Sequence, residues 1–218
     1  MEVLPQEPMR KALRELYKAG VVTSTGGNIS VRDGQRHCLI SPKGMHKGDN
    51  HIVFALIDYN GKPCDVENWT QYYEASSEWM MHTELYKAFS TLNAVIHSHP
   101  VNATVLLTGT GFRAINAEAA WIGPIPTVAY LPSGTMELAR AVAYQMPVRG
   151  SGVIGPAVFL ASHGLVVVGS TLARAVAVTL NIERVATIIL ESLRTFGKVP
   201  ELAIAEQLRL YNQEFMIG

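Results

Sequence analysis

The sequence predicts an α/β fold built on a mixed, largely antiparallel sheet. Three observations carry that prediction. Two short runs, Ile29-Ser30-Val31-Arg32 and Cys38-Leu39-Ile40-Ser41, face each other across Asp33-Gly34 as a hairpin. A buried, β-branched run, Ala94-Val95-Ile96-His97-Ser98-His99, is closed by Pro100, which cannot continue a ladder. Helical stripes stand apart from these strands, at about 7–19, 172–193 and 201–211.

The elements follow in order. Met9, Leu13, Leu16 and Tyr17 form the apolar stripe of the first helix, which Gly20 ends. A glycine-rich turn, Thr23 to Asn28, runs into the first strand, and Ser41-Pro42-Lys43-Gly44 makes a tight turn after the hairpin. Phe54 to Asp58 reads as a strand closed by Asn60-Gly61. Ser76 or Ser77 is expected to cap a helix whose apolar positions include Trp79, Met80, Leu85 and Phe89. Residues 103–107 read as helical and 125–130 as a strand, with Ser133-Gly134-Thr135 leading into a helix to about Tyr144. Two strands, 157–161 and 165–168, flank His163.

A chain of 218 residues with a 48% hydrophobic fraction can bury a sizeable core, and no linker or repeat divides it, so one domain over 1–218 is expected. Lys plus Arg and Asp plus Glu number 18 each, which argues against a nucleic-acid or acidic-membrane partner and permits self-association. Cys38 and Cys64 lack metal or redox spacing and read as ordinary thiols. The N-terminus has no basic start followed by an apolar core, and the apolar stretch from Gly152 to Gly169 reads as strand, turn, strand rather than a membrane span. A cytoplasmic protein is expected.

The chemistry concentrates on a few side chains. Side chains at i and i+2 of a strand share a face, so His97 and His99 converge on one point at the strand's end. His163, in Ala161-Ser162-His163-Gly164, and Glu78, in Ser76-Ser77-Glu78, complete a plausible four-ligand set for a divalent transition metal. Taken singly, the pair also fits one packed and one solvated histidine, and His163-Gly164 fits a common turn. Gly26-Gly27-Asn28, Lys43-Gly44 and Ser76-Ser77 offer backbone and hydroxyl donors for a phosphate or carboxylate. Each also fits a plain structural role: a tight turn, an exposed lysine, a capping pair. His82 shares a helical face with Glu78 and either orients it or simply bonds water or backbone. Tyr130 and Tyr211 are phenols suited to proton donation or to packing.

The ordered set Gly-Gly-Asn-Ile-Ser-Val-Arg, Ser-Pro-Lys-Gly, Ser-Ser-Glu-x3-His, Val-Ile-His-Ser-His-Pro and Ser-His-Gly resembles the class II aldolase/adducin family, from about Arg10 to Tyr211. The resemblance implies a three-layer α/β/α sandwich and a homotetramer with active sites between subunits. It implies zinc, or else manganese, cobalt or iron, held by His97, His99 and His163, with Glu78 first a ligand and then the acid/base. It places Asn28, Gly44, Ser76 and Ser77 at a phosphate, with Gly27 beside them. It likens Tyr130 to a tyrosine that protonates an aldehyde oxygen in a neighbouring subunit, and Tyr211 to that of a C-terminal segment.

Lys43 and the Met45-His46-Lys47-Gly48 continuation depart from the aldolase pattern. Lys43 would hold phosphate as a point charge, or equally a carboxylate. The expected activity is reversible retro-aldol cleavage of a ketose 1-phosphate. The alternatives are decarboxylation of a sugar acid or keto acid, a related epimerisation or dehydration, and, more remotely, an adducin-like scaffold without catalysis.

Overall fold

A seven-stranded sheet forms the middle layer, in the spatial order β3-β2-β1-β4-β7-β6-β5. The strands are β1 (Asn28–Asp33), β2 (His37–Ile40), β3 (Ala55–Asp58), β4 (Ala94–Ser98), β5 (Thr127–Val128), β6 (Ala157–Leu160) and β7 (Gly164–Gly169). Every neighbouring pair is antiparallel except β5 with β6. The helices are α1 (Gln6–Lys18), α2 (Trp79–Ala88), α3 (Val101–Leu107), α4 (Ala117–Ile122), α5 (Met136–Gln145), α6 (Leu172–Phe196) and α7 (Ile204–Tyr211). This computed structural model describes residues 6–64, 73–109, 111–147, 157–199 and 201–211, the last without its side chain.

Alternation along the strands divides the core in two. Ile29, Ile96, Leu165 and Val167 point to one face, under α1, α3, α4 and α6. Val95, Val158, Val166 and Val168 point to the other, under α2 and α5. A sheet covered on both faces needs apolar residues at successive positions, which is why β4 and β7 read as continuous hydrophobic runs. The α/β class, the mixed sheet and the three layers are as expected. Cys38 is buried in the second core, where desolvation pushes its thiol up to about 12. Among the described residues no helix is long and apolar enough to cross a membrane. Residues 1–5 and 152–156, on which part of the localisation reading rests, lie outside the described residues.

Three expectations need correction. The serine pair does not cap α2: Glu78 is the N-cap residue, and Ser76 Oγ accepts the Glu78 amide at 3.3 Å, so the serines form the turn before the helix. The buried face of α2 is Met81, His82, Thr83, Leu85 and Tyr86, while Trp79, Met80 and Phe89 are half-buried. Two polar side chains lie on the inward face to meet Ser30 of β1, so hydrophobicity did not mark it. The strand expected over 125–130 shrinks to the two residues of β5, because Pro126 has no N–H to give a ladder and contributes only its carbonyl, to Phe159 N at 2.9 Å. The short helix α4, capped by Asn116 accepting from Ala119 N, was not foreseen.

Arg32 ties the end of α2 to the sheet. Its guanidinium donates to the carbonyls of Tyr86 (2.9 Å), Phe89 (2.7 Å) and Leu92 (2.5 Å) and to the Tyr59 hydroxyl (2.7 Å), 4.8 Å from the centre of the Tyr86 ring. Arg32→Met leaves helix-end carbonyls without donors and is expected to cost about 3 kcal/mol of stability. A urea titration checks this; an unchanged midpoint refutes it.

Candidate functional site

The antiparallel register of β4 with β1 and β7 places His97 opposite Asn28 on one side and Val166 on the other. His97 and His99 straddle the end of β4, their rings edge-to-face with centroids 4.7 Å apart and their Nε2 atoms 3.0 Å apart. His163 comes from the three-residue turn between β6 and β7, where Ser162 adopts a left-handed backbone (φ 57°). Its ring lies 4.7 Å from that of His97 and 5.4 Å from that of His99. One nitrogen from each of the three falls within 4.8 Å of the others.

The glycines of the motifs allow this crowding. A Cβ on Gly26 would sit 2.9 Å from His99 Nδ1, and one on Gly164 would meet the Ser98 carbonyl and approach His99 Cδ2 to 2.8 Å.

Glu78 closes the fourth side. Its Oε2 is 3.3 Å from His97 Nε2 and its Oε1 is 3.4 Å from His163 Nε2. Asn28 Nδ2 donates to Oε2 at 2.9 Å, whereas the buried Oε1 has no hydrogen-bond partner. His97 donates its Nδ1–H to the Leu165 carbonyl at 3.1 Å, which leaves Nε2 a bare lone pair facing the cluster. Burial, then the neighbouring His99 and His163, hold the His97 imidazole well below its ordinary pKa. Burial and His163 lower that of His99, against the pull of Glu78. Imidazole nitrogens and a carboxylate oxygen without a hydrogen-bond partner, directed at one place, are a donor set suited to a divalent transition ion.

The candidate anion segments also meet. Pro42 and Ala75 form an antiparallel bridge, Ser76 N donates to the Ser41 carbonyl, and Ser41 Oγ accepts the Ile29 amide. The segments carrying Gly27 and Asn28, Lys43 and Gly44, and Ser76 and Ser77 are thereby linked to one another, with Asn28 bonded directly to Glu78. Gly44 (φ 71°) has open space at its Cα. Lys43 is turned outward and paired with Glu74 at 2.8 Å, both side chains more than half exposed.

Sequence reasoning passed over Lys47. It is 2% exposed, its Nζ donates only to the Pro42 carbonyl at 3.3 Å, and it has no carboxylate partner among the described residues. Burial alone lowers its pKa. The signal available was its place in the departing stretch 45–48.

Tyr130 lies just beyond β5, 65% exposed, and shares no hydrogen bond or ring contact with the histidines among the described residues. Tyr211 closes α7, and its side chain lies outside the described residues. A cavity of about 380 Å³ beside α4 and α7, lined by Phe112, Arg113, Gly123, Glu201 and Leu208, has no residue in common with the cluster.

A three-layer fold carrying three histidines and a carboxylate at one end of its sheet presents a candidate metal site, and comparison with known proteins specifies the family. Residues 7–190 match the family described as Class II Aldolase and Adducin N-terminal domain, and the chain belongs to that family. It is 33% identical over 200 residues to the L-fuculose phosphate aldolase of Escherichia coli K12, covering 88% of this chain and 85% of the relative. It is 31% identical over 210 residues to the 5-methylthioribulose-1-phosphate/5-deoxyribulose-1-phosphate aldolase of Rhodospirillum rubrum, covering 94% and 87%. A solved L-fuculose 1-phosphate aldolase superposes with a TM-score of 0.80 at 27% identity, over 97% of this chain and 95% of that one. YgbL of Klebsiella pneumoniae, a provisional aldolase/epimerase/decarboxylase, shares the fold with a TM-score of 0.80 at 24% identity, over 94% and 96%. The family is one of metal-dependent lyases that act on phosphorylated sugars.

Proposed function

We propose that the chain, as one domain over 1–218, catalyses reversible retro-aldol cleavage of a ketose 1-phosphate of the L-fuculose-1-phosphate type. The products are dihydroxyacetone phosphate and an aldehyde. The observation that carries this reading is the Glu78 carboxylate, with one oxygen gripped by Asn28 and the other without a hydrogen-bond partner before three imidazoles. His97, His99, His163 and Glu78 would hold the ion, with Zn2+ favoured over Mn2+, Co2+ or Fe2+. When bound, the ion supplies a Lewis acid for the negative charge that builds on the substrate oxygens.

The chain's own residues move the protons. In the synthetic direction Glu78 takes a proton from the hydroxymethyl carbon of dihydroxyacetone phosphate, whose electron pair then forms the new bond to the aldehyde carbon. Tyr130, reaching a neighbouring subunit of a homotetramer, donates a proton to the aldehyde oxygen. Its exposure supports service to another chain. Tyr211 is assigned as a second phenol of the reaction. Gly27, Asn28, Gly44, Ser76 and Ser77 bind the phosphate through amide and hydroxyl donors. With Lys43 engaged by Glu74, its part is to border that site until an anion draws it away. The protein is assigned to cytoplasmic carbohydrate metabolism.

The test is metal analysis together with proton exchange of dihydroxyacetone phosphate in heavy water. One metal per chain and exchange at the reactive carbon are expected. Metal without exchange overturns the aldolase assignment in favour of decarboxylation, with sugar acids as the next substrates. No metal in protein purified without chelators turns the reading to a scaffold.

A further inference from the structure

Behind Asn28 lies a buried polar chain that the reaction above does not use. Asn28 Oδ1 faces His82 Nε2 at 2.5 Å, His82 Nδ1 faces Ser30 Oγ at 2.7 Å, and Ser30 Oγ faces the Tyr86 hydroxyl at 2.8 Å. Ser30, His82 and Tyr86 are 0–2% exposed and Asn28 is 3% exposed. Two histidine nitrogens and two hydroxyls in a dry core are costly unless each is satisfied, and here each one is.

The direction of every proton in this chain follows from one end. A carboxylate only accepts, so Asn28 presents its NH2 to Glu78 and its carbonyl to His82. That carbonyl also only accepts, so His82 carries its hydrogen on Nε2. His82 Nδ1 must then accept from Ser30, and Ser30 in turn accepts from Tyr86. The amide of Asn28 could not turn over without setting its NH2 against the Nε2–H and its carbonyl against the carboxylate. Desolvation keeps His82 neutral, with a pKa lowered to about 3, so the arrangement persists through the physiological range.

We infer that His82 is a positioning residue. Backed by Ser30 and Tyr86, it locks the rotamer of the Asn28 amide, and the amide in turn holds the Glu78 carboxylate between His97 and His163. The inference rests on the reading of Glu78 as the group that moves the proton. It adds a consequence for the anion site. Asn28 has one N–H on Glu78 and a second N–H to offer a phosphate, so the His82 lock aligns both ends of the substrate site through one side chain.

Three variants separate positioning from packing. His82→Gln keeps an N–H donor near the Nε2 position. His82→Asn keeps a polar group near Nδ1 but withdraws the donor from Asn28. His82→Phe keeps the ring and loses both bonds. Exchange of dihydroxyacetone phosphate should fall in kcat about 10- to 100-fold in His82→Asn and His82→Phe, with His82→Gln within a few-fold of wild type. Co2+ affinity, read by competition with a chromophoric chelator, should follow the same order. All three variants lose melting temperature, so a purely structural role would not separate Gln from Asn. Equal rates and affinities for Gln and Asn, or a wild-type rate for Phe, overturn the inference.

A measurement without substitution guards against misfolded variants. In the wild-type protein, nitrogen NMR of the imidazoles should show His82 neutral and protonated on Nε2, and protonation on Nδ1 refutes the chain. Wild-type protein that fails to exchange refutes the reaction reading instead, while the tautomer and the Co2+ affinities still judge the lock.

Discussion

Glu78→Gln is expected to lower dihydroxyacetone phosphate exchange by about a thousandfold while metal stays bound. The substitution keeps the shape of the side chain. Its amide oxygen can still accept from Asn28 Nδ2, which donates to Oε2 at 2.9 Å in the native protein. The new NH2 then takes the place of Oε1, 3.4 Å from His163 Nε2, while the amide oxygen keeps the place of Oε2, 3.3 Å from His97 Nε2. What disappears is a group able to take a proton from carbon and return it. The three imidazoles remain to hold the ion, so metal content should be close to wild type and the melting temperature little changed. Full exchange activity in this variant would remove Glu78 from the reaction. Loss of metal together with activity would make it chiefly a ligand.

Removing the metal is the second large effect. Chelation should abolish exchange, and adding back Zn2+, Mn2+, Co2+ or Fe2+ should restore it to degrees that identify the working ion. His163→Ala should do the same irreversibly, since it removes one of three nitrogens that lie within 4.8 Å of one another. An ion present at a thousand times its dissociation constant stabilises the native state by about 4 kcal/mol, so melting should drop by on the order of 10 °C on chelation.

The chelated protein should also become acid-labile, and the sign follows from the histidines. His82, at about 3, and His97, well below 6.5, are held neutral by burial, whereas the unfolded chain protonates them near 6.5. Their folded values are depressed, so the contribution is fully present above 6.5 and is lost as pH falls towards 3. Thermal melts of the chelated protein at pH 7 and pH 5 check this; equal melting temperatures would refute it.

The resemblance to the class II aldolase/adducin family rested on short ordered motifs, and the family match over 7–190 bears it out. Within elements, periodicity was a sound guide. The stripe of Met9, Leu13 and Leu16 is the buried face of α1, and the hairpin turns at Gly34, with Asp33 opposite His37. The two-residue spacing of His97 and His99 did bring their nitrogens together, with His97 on β4 and His99 just past its end, where the His99 amide donates to the Val21 carbonyl.

Other features were beyond local pattern. Lys43 and Lys47 look alike in sequence, yet one is paired at the surface and the other is buried without a counter-charge among the described residues. The inward face of α2 carries His82 and Tyr86, which no hydrophobic period would select. Each of these depends on what packs opposite.

Local chemistry therefore decided which residues this protein could use: the histidine pair, the glycines that admit them, the acid at the start of a helix. Folding decided which partners they have. His82 finds Asn28 from 54 positions away, and His97 finds the Leu165 carbonyl from 68. Such contacts are set by sheet register and by the cost of burying an unsatisfied polar group, and neither is expressed in any one stretch of chain.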